Sequence, residues 1–248
     1  MADKISQMVI VAGGPGTRMA SLSADFPKGL LPIGGKPVLQ HQLELARTSG
    51  VQEIIIFAGH IADKIVEFVG GGSKFDLSVR VEIEKKALGT AGNILQSLDK
   101  LAENFFVVYG DIMLAVDLQR MAKEHVGRKA DLTLFVQPSD RPQDSDLVET
   151  DPDGRVISIH SYPHPAGQTF YNLANEALYA VRRDALKPLM VFEKQDFVKD
   201  IIPKVIGRGG RVMAYQSDEY IEDMGTPARF EKVKADWQQG KIKMANLA

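Results

Sequence analysis

Short apolar runs alternate with amphipathic stripes through the first half of the chain. The continuous runs, which are typical of strands buried on both faces of a sheet, lie at 8–12, 53–58 and 105–108. Apolar residues recur at helical spacing in the stretches between them, at 39–46, 61–69 and 91–98. Residues 77–84 instead alternate between apolar and polar, which predicts a half-buried strand. Strands that alternate with helices of this length indicate βαβ units and a mostly parallel sheet.

The pattern is looser after residue 130. We predict strands at 132–136 and 173–181, a hairpin of 148–150 with 156–159 around the turn Asp151–Gly154, and an exposed loop at 160–170. Asp184 and Asp196 have the positions of N-caps for two short helices, and 227–237 is an amphipathic helix. The fold class predicted is α/β, with three Rossmann-like layers, a mostly parallel mixed central sheet and a small β-hairpin.

Composition narrows the class of protein. A chain of 248 residues with 44% hydrophobic residues suits one domain, 1–248, and we find no repeat or linker. The net charge of −2 lacks the basic excess of a nucleic-acid-binding surface. Because there is no cysteine, disulfides, thiolate catalysis and Cys-ligated zinc are excluded. Without a secretion signal or a long apolar run, we expect a cytoplasmic protein that does not enter membranes.

The segment 12–18, Ala-Gly-Gly-Pro-Gly-Thr-Arg, is the first with candidate chemistry. Glycines directly after a buried strand let backbone amides approach phosphate oxygens, and Arg18 can clamp phosphate in two places. The spacing does not fit a dinucleotide-binding fingerprint or a P-loop, which argues against a nicotinamide-dependent oxidoreductase. An ordinary glycine loop with a solvated arginine is the alternative.

The segment 26–37 places Lys28 between two prolines, which fix the chain on either side of it. A lysine on a rigid loop is a suitable point charge for a phosphate. We interpret Lys36 as a solvated surface residue. Gly-Gly-x-Gly-Thr-Arg, then Pro-Lys about ten residues later, then Gly-Lys-Pro, resembles the sugar-phosphate nucleotidylyltransferase family, which includes mannose-1-phosphate guanylyltransferases and glucose-1-phosphate thymidylyltransferases.

Two further segments carry the resemblance, which runs from about 8 to 230. The stretch 84–92, Glu-Lys-Lys-Ala-Leu-Gly-Thr-Ala-Gly, resembles the family's base-recognition stretch, and 223–227, Asp-Met-Gly-Thr-Pro, resembles its Asp-Ile-Gly-Thr-Pro element. The resemblance implies a nucleotide-binding half at about 8–110 and a sugar-phosphate-binding half at about 111–230. It also implies nucleotide-sugar biosynthesis, for example of cell-surface polysaccharide precursors, and dimers or tetramers as the usual assembly.

Roles follow for the residues that match these motifs. The resemblance implies nucleotide binding by Ala12, Gly13, Gly14, Gly16, Thr17, Glu84, Gly89 and Thr90, and catalysis by Arg18, Lys28, Asp111 and Asp223. Asp111 follows an apolar strand, where folds of this class place their sites, and the family pairs it with Asp223 on one Mg²⁺. A solvated strand residue is the alternative for Glu84, and a turn or helix cap is the alternative for each aspartate taken singly.

Asn175 matches the asparagine of the family's Asn-Ala-Gly-Ile-Tyr segment, which contacts the sugar, and the family glycine is Ala177 here. Glu149 lies where relatives place sugar-contacting residues, and Lys199-Asp200 resembles a pair near the acceptor phosphate. A solvated hairpin glutamate is the alternative for Glu149, and capping or helix-surface roles are the alternatives for the Lys199-Asp200 pair. Many relatives carry Glu-Lys-Pro after the hairpin, where this chain has His160-Ser161-Tyr162-Pro163. Lys199 or His160 are the candidates to replace that lysine.

The function implied is transfer of a nucleotidyl group from a nucleoside triphosphate to a sugar 1-phosphate, with release of pyrophosphate. The Leu-Gly-Thr-Ala-Gly form resembles guanylyl-transferring members that act on mannose or manno-heptose 1-phosphate, so GTP is favoured. Uridylyl, thymidylyl or cytidylyl transfer stays open. A rival of a different class is a catalytically silent regulatory homologue that binds a nucleotide sugar, and magnesium-dependent turnover separates the two.

Overall fold

The structure is a computed structural model that describes residues 4–14, 16–19, 26–59, 61–84, 86–165, 167–191 and 193–244. Pro15, Lys85 and the side chain of Thr17, all within predicted motifs, lie outside the described residues. The strands are β1 Gln7–Ala12, β2 Pro32–Ile33, β3 Lys36–Pro37, β4 Glu53–Ala58, β5 Ser78–Ile83, β6 Asn104–Tyr109, β7 Ile112–Ala115, β8 Leu132–Gln137, β9 Leu147–Thr150, β10 Val156–His160, β11 Ala174–Arg182, β12 Val212–Gln216 and β13 Tyr220–Asp223.

The α-helices are α1 Val38–Thr48, α2 Ala62–Val69, α3 Gly92–Gln96, α4 Leu118–Gly127, α5 Arg183–Leu186, α6 Ile202–Gly207 and α7 Pro227–Gln238. Short 3-10 turns, including Thr17–Met19 and Lys28–Leu30, and a π-helical turn at Phe197–Ile201 complete the elements used below. None of the helices in the described ranges has the length and apolar character required to cross a bilayer.

The chain divides into two compact units. The first is built from residues 5–87, 107–119 and the stretch from 219 onward, and the second from 88–106 and 120–218. Each unit therefore combines segments that are distant in sequence. The division of a single domain at about residue 110 stays a prediction.

In the first unit, β1, β4 and β5 form parallel pairs, with Gln7 opposite Glu53 and Glu53 opposite Ser78. The predicted apolar runs form the hydrophobic core of this sheet, because residues 8–10 and 54–56 are 1% exposed or less. Each such large apolar side chain contributes roughly 1.5–3 kcal/mol when fully buried. The predicted alternation of 77–84 fails at Ile83, which is 59% exposed. Ile83 is the last residue of the terminal strand in the sheet order, so no further strand covers it.

In the second unit, β11 pairs antiparallel with β8 and β9, while β8 and β12 are parallel. The predicted hairpin is confirmed, because β9 and β10 pair antiparallel around Asp151–Gly154. The register of β11 against β8 shifts between Asn175 and Tyr179, where Ala177 has a φ of 52°. The residue that replaces the family glycine therefore adopts a left-handed conformation, which glycine adopts without strain.

Two predicted helix features are wrong and one is confirmed. Asp184 does not cap a helix, because α5 already begins at Arg183 and the Asp184 carboxylate pairs with Lys187 at 2.7 Å. The helix predicted over 91–98 ends at Gln96, and Leu98 begins a separate 3-10 turn. Asp196 is an N-cap, because its Oδ1 accepts the amides of Val198 and Lys199 at 3.0 and 2.9 Å.

Candidate active site

The glycine loop of the first unit follows β1 and lies beside the turn that follows β6. The amide of Gly110 donates to the carbonyl of Val11 at 2.9 Å, and a Cβ on Gly110 would lie 3.0 Å from Cβ of Ala12. The loop continues through Gly13, Gly14 and Gly16 into the turn Thr17–Met19. The ends of two neighbouring strands thus meet at this loop, as expected for a site at a sheet edge.

Lys28 faces the glycine loop from a rigid turn. A Cβ on Gly16 would lie 3.2 Å from Cε of Lys28, so the two are close, and the φ of 65° at Gly16 favours glycine there. The Lys28 Nζ donates to Oδ2 of Asp111 at 3.1 Å. The neighbouring Gly29 packs on the same turn, because its Cβ would lie 2.7 Å from the carbonyl oxygen of Gly110. The structure therefore brings Lys28, the glycine loop and Asp111 together.

Asp111 is held in place through the backbone around it. Gln42 donates to the carbonyls of Tyr109 and Ile112, at 2.9 and 2.7 Å, and so spans the turn that carries Asp111. Gln42 is 1% exposed on α1. Gln42 was not predicted from the sequence, although a glutamine on the apolar stripe of a helix is a signal of a buried polar contact.

Asp223 lies next to Asp111. It ends β13, which pairs antiparallel with β7 so that Asp223 is opposite Ile112, and the amide of Met224 donates to the carbonyl of Asp111 at 2.8 Å. The Asp223 carboxylate accepts from the Gly225 amide at Oδ1, 2.9 Å, and from Nη1 of Arg229 at Oδ2, 2.5 Å. The two acidic residues are thus neighbours within one unit, although 112 positions separate them (223 − 111).

Arg18 reaches the same cluster from the glycine loop. A Cβ on Gly225 would lie 2.7 Å from Oδ1 of Asp223 and 3.2 Å from Nη2 of Arg18. The Arg18 guanidinium is therefore close to the loop that follows Asp223. Arg18, Lys28 and Arg229 give this part of the first unit three cations around two carboxylates.

Asp111 and Asp223 suit a divalent metal ion by their chemistry and placement. Carboxylates are the hard oxygen ligands that Mg²⁺ prefers, and Mg²⁺ retains waters and substrate phosphates beside one or two of them. The part of the chain that the structure describes contains no group of three or more His, Cys, Asp or Glu side chains placed to hold a metal ion. Two adjacent aspartates fit an open magnesium site.

Glu84 lies directly over the glycine loop of the first unit. A Cβ on Gly13 would collide with the Glu84 carboxylate, and the Glu84 amide donates to the carbonyl of Ala58 at 2.8 Å. Glu84 thus follows β5 with its side chain directed at the residues after β1. The interpretation that this carboxylate faces a bound ligand stays a prediction, and its position favours that over a solvated strand residue.

Gly89 and Thr90 belong to the second unit, where the segment 195–197 anchors them. Leu88 accepts from the Gln195 amide at 2.9 Å, and the Ala91 amide donates to the Gln195 carbonyl at 3.0 Å. The Thr90 hydroxyl donates to Asp196 at 3.1 Å and accepts from the Phe197 amide at 2.7 Å. The side chain of Thr90 therefore serves to fix this loop, which was not foreseen, and α3 begins only at Gly92.

The predicted sugar-side residues also lie in the second unit. Asn175 donates to the hydroxyl of Tyr179 at 2.8 Å, and among the described side chains its Oδ1 is one of the few buried oxygens without a partner. Nε2 of His160 lies 3.3 Å from Oε2 of Glu149, and the His160 ring stacks on Phe170 at 4.0 Å. His160 thus faces Glu149, and the role of Glu149 at the sugar stays a prediction.

Lys199 is exposed on the π-helical turn, and its amide is capped by Asp196. Asp200 accepts a hydrogen bond from the Asp196 amide at 2.7 Å. Of the Lys199-Asp200 pair, Asp200 therefore has the capping role that was considered as an alternative. Burial raises the pKa of nearby Asp146, which accepts the Tyr162 amide at 2.8 Å and interacts with the charge of Lys199. Asp146 was not among the residues predicted from the sequence.

The first unit therefore brings a glycine loop, three cations and two adjacent carboxylates together, which is the chemistry expected of proteins that handle phosphate-bearing ligands. The chain belongs to the nucleotidyl transferase family, whose model matches residues 7–240. The resemblance seen in the sequence is thereby confirmed.

Individual relatives agree with this family. The chain is 29% identical to the D-glycero-alpha-D-manno-heptose 1-phosphate guanylyltransferase of Aneurinibacillus thermoaerophilus, over 94% of this chain and 98% of the relative. It is 27% identical to the mannose-1-phosphate guanylyltransferase of Mycobacterium tuberculosis, over 97% and 67%. The crystal structure of HddC from Yersinia pseudotuberculosis, also solved with GMP-PN, is 27% identical with a TM-score of 0.79 and covers 94% of this chain and 100% of HddC. The predicted fold class, α/β with a central, mostly parallel sheet, is confirmed.

Proposed function

We propose that this protein transfers a guanylyl group from GTP to a hexose or heptose 1-phosphate, releasing pyrophosphate and forming a GDP-sugar. The observation that carries the proposal is the convergence of Lys28, Asp111 and Asp223 on one place beside the glycine loop. Family membership supports the reaction class, and the names of the two guanylyltransferase relatives support the substrates. The proposed partners are these two small molecules, in the cytoplasm, with neither nucleic acid nor membrane.

The glycine loop and Arg18 would hold the β- and γ-phosphates of the triphosphate. Backbone amides at Ala12, Gly13, Gly14, Gly16 and Thr17 supply donors, and the guanidinium can bond two oxygens at once. This arrangement neutralises charge locally in a protein whose overall charge is −2.

Asp111 and Asp223 would hold Mg²⁺. When bound, Mg²⁺ supplies Lewis-acid neutralisation at the α-phosphate and aligns the two reacting phosphates. Gln42 fixes the turn that carries Asp111, and the Gly225 amide fixes the Asp223 carboxylate, so both acidic side chains are oriented by neighbours.

The reaction step would be an in-line attack by an oxygen of the sugar 1-phosphate on the α-phosphorus. A new oxygen–phosphorus bond forms while the bond between the α-phosphorus and the bridging oxygen of pyrophosphate breaks. Because the attacking phosphate is already ionised at neutral pH, no general base is needed, and catalysis rests on alignment and charge. Lys28 would offset the negative charge that develops around the α-phosphorus.

Glu84 would select guanine. A carboxylate only accepts hydrogen bonds, and the guanine edge presents two adjacent donors, N1–H and N2–H₂. Uracil and thymine present one donor between two acceptors, and adenine and cytosine each present a donor beside an acceptor. Gly89 and Thr90 would contribute backbone contacts to the base. The Glu84 carboxylate, which lies next to Gly13, therefore fits guanine better than the other bases.

Asn175, Glu149 and Lys199 would contact the sugar phosphate. The buried Oδ1 of Asn175 is an acceptor available to a sugar hydroxyl, and Glu149 with His160 presents a second polar pair. Lys199 is the exposed cation proposed for the acceptor phosphate. The heptose and mannose relatives favour a sugar of the manno series.

Pyrophosphate release from four nucleoside triphosphates, each paired with several sugar 1-phosphates, tests the proposal. We expect magnesium-dependent release that is fastest with GTP and a mannose or manno-heptose 1-phosphate. Lys28→Ala should lower kcat on the order of 10²–10³-fold, as loss of a preorganised charge does. Lys36→Ala is the matched control, because Lys36 pairs with Glu44 at 2.9 Å and should leave kcat unchanged. Binding of a GDP-sugar without turnover of any pair would instead support the silent regulatory homologue.

A further inference from the structure

Both oxygens of the Asp223 carboxylate are already engaged within the protein. The Gly225 amide donates to Oδ1 at 2.9 Å, and Nη1 of Arg229 donates to Oδ2 at 2.5 Å. The Arg229 side chain is 15% exposed and that of Asp223 is 32% exposed, so water screens this pair only in part. Charge-assisted hydrogen bonds are among the stronger side-chain contacts.

The position of Arg229 on its helix is unfavourable for a cation. Thr226 is the N-cap of α7 and accepts the Arg229 amide at 3.3 Å, which places Arg229 in the first turn. The helix dipole favours anions there, so a cation at this position destabilises the helix. No acidic residue occupies this first turn. The Asp223 carboxylate is the feature that offsets this cost.

The two proposed metal ligands share one arrangement, because each is paired with a cation. Lys28 pairs with Asp111 at 3.1 Å and Arg229 pairs with Asp223. The formal charges of these four groups sum to zero, so the electrostatic attraction for a free divalent ion is weak. A triphosphate brings several negative charges to the same loop and makes the local net charge negative.

Resting on the proposed function, we propose that Arg229 is a positioning residue that occupies Asp223 until a nucleotide arrives. A divalent ion then binds together with the triphosphate rather than before it, and the displaced guanidinium is available to phosphate oxygens. The sequence signal is an arginine three residues after the N-cap, where a capping box carries an acidic or amide residue.

The sign of the effect distinguishes this role from simple orientation. If Arg229 only oriented Asp223, its removal would weaken metal binding, commonly by 10–100-fold. The Gly225 amide already orients the carboxylate, so removing Arg229 should chiefly remove a competing positive charge. We therefore expect Arg229→Gln to bind a divalent ion about tenfold more tightly in the absence of nucleotide, as Coulomb interactions at a partly screened site predict.

The test is a titration of the nucleotide-free protein with Mn²⁺ as the probe, read from the electron paramagnetic resonance signal of free Mn²⁺. Arg229→Gln should bind Mn²⁺ more tightly than the wild type, and Arg229→Lys should restore weak binding. Lys234→Gln is the matched control on the same helix, since it removes one charge and Lys234 pairs with Glu231 at 2.9 Å. It should behave as the wild type. The double variant Asp223→Asn, Arg229→Gln should lose the gain.

Unchanged or weaker Mn²⁺ binding in a folded Arg229→Gln protein overturns the proposal. A second arm needs no variant: the wild type with an α,β-methylene analogue of GTP should bind Mn²⁺ at least tenfold more tightly than the protein alone, and also more tightly than the analogue alone, since the protein and the nucleotide then share the ion. Binding no tighter than that of the analogue alone also overturns it. If no substrate pair is turned over, the proposed reaction is refuted but the role of Arg229 is not. The titration of Arg229→Gln measures Mn²⁺ affinity in the absence of nucleotide and sugar phosphate, so its result does not depend on turnover.

Discussion

Three cations lie beside Asp111 and Asp223: Arg18 and Lys28 come from the N-terminal part of the sequence and Arg229 from the C-terminal part. Only Arg18 and Lys28 were predicted from the sequence. Pro-Lys and Gly-Thr-Arg are ordered motifs, so sequence alone identified them. Arg229 and Gln42 were missed because their roles depend on which strand pairs with which. Gln42 acts on Asp111 only because α1 passes the turn after β6. Such tertiary contacts leave a weak signal, a polar or charged residue at a position where local rules disfavour it.

Glu84 gives a prediction at the scale of one residue. Glu84→Gln replaces a pair of acceptors by one acceptor and one donor, which suits uracil or thymine better than guanine. We expect kcat/KM for GTP to fall roughly tenfold to a hundredfold, the value of a hydrogen bond to a charged group, while UTP loses less. Competition between GTP and UTP, followed by separation of the two nucleotide sugars, measures the change.

Glu67→Gln, on the exposed face of α2, is the control for that measurement and should leave the GTP preference unaltered. If Glu84→Gln leaves it unaltered as well, Glu84 does not read the base.

Among the elements, the two predicted N-caps had opposite outcomes for a physical reason. Asp196 precedes a turn whose amides at Val198 and Lys199 need acceptors, and it supplies them. Asp184 carries the same side chain, but β11 continues to Arg182 and the helix starts at once, so Asp184 falls inside it. Element type was predictable from apolar spacing, while element boundaries depended on where a neighbouring strand stops pairing.

Strand β11 carries a stability prediction, since Ala177 sits at its irregular point with a φ of 52°. A left-handed conformation costs an L-residue about 1–2 kcal/mol, and replacement by glycine removes this strain. Part of the gain in stability is offset, because glycine loses more conformational entropy on folding than alanine. We expect Ala177→Gly to raise the free energy of unfolding by about 0.5–1 kcal/mol, measured by urea denaturation.

Ala180, in the same strand and outside the left-handed region, is the comparison. Ala180→Gly should destabilise the protein, because glycine there removes a buried methyl group without relieving strain. Destabilisation by both substitutions would show that Ala177 is not strained.

For the whole molecule, buried His125 predicts how stability depends on pH. Burial, with a smaller effect of the Arg182 charge, lowers the pKa of His125 to about 4, and its ring nitrogens contact Thr133 and Asn104 at 2.8 and 3.2 Å. The unfolded chain binds a proton near pH 6.5 and the folded protein does not until about pH 4. Stability is therefore lost as the pH falls through this window, by about 1 kcal/mol at pH 5.5.

Urea denaturation at pH 7.5 and pH 5.5 measures this loss, with His125→Gln as the variant. Glutamine does not titrate, so the variant should lose about 1 kcal/mol less than the wild type between the two pH values. An identical loss in both proteins would mean that His125 is not the group responsible.

The origin of the bridging oxygen in the product tests whether the sugar phosphate attacks the α-phosphorus. Sugar 1-phosphate labelled with ¹⁸O on its non-bridging phosphate oxygens is incubated with GTP, Mg²⁺ and the protein, and the product is analysed by ³¹P NMR. We predict one labelled oxygen bridging the two phosphorus atoms of the nucleotide sugar and unlabelled pyrophosphate. Label in the released pyrophosphate, or an unlabelled bridge in the nucleotide sugar, would contradict attack on the α-phosphorus.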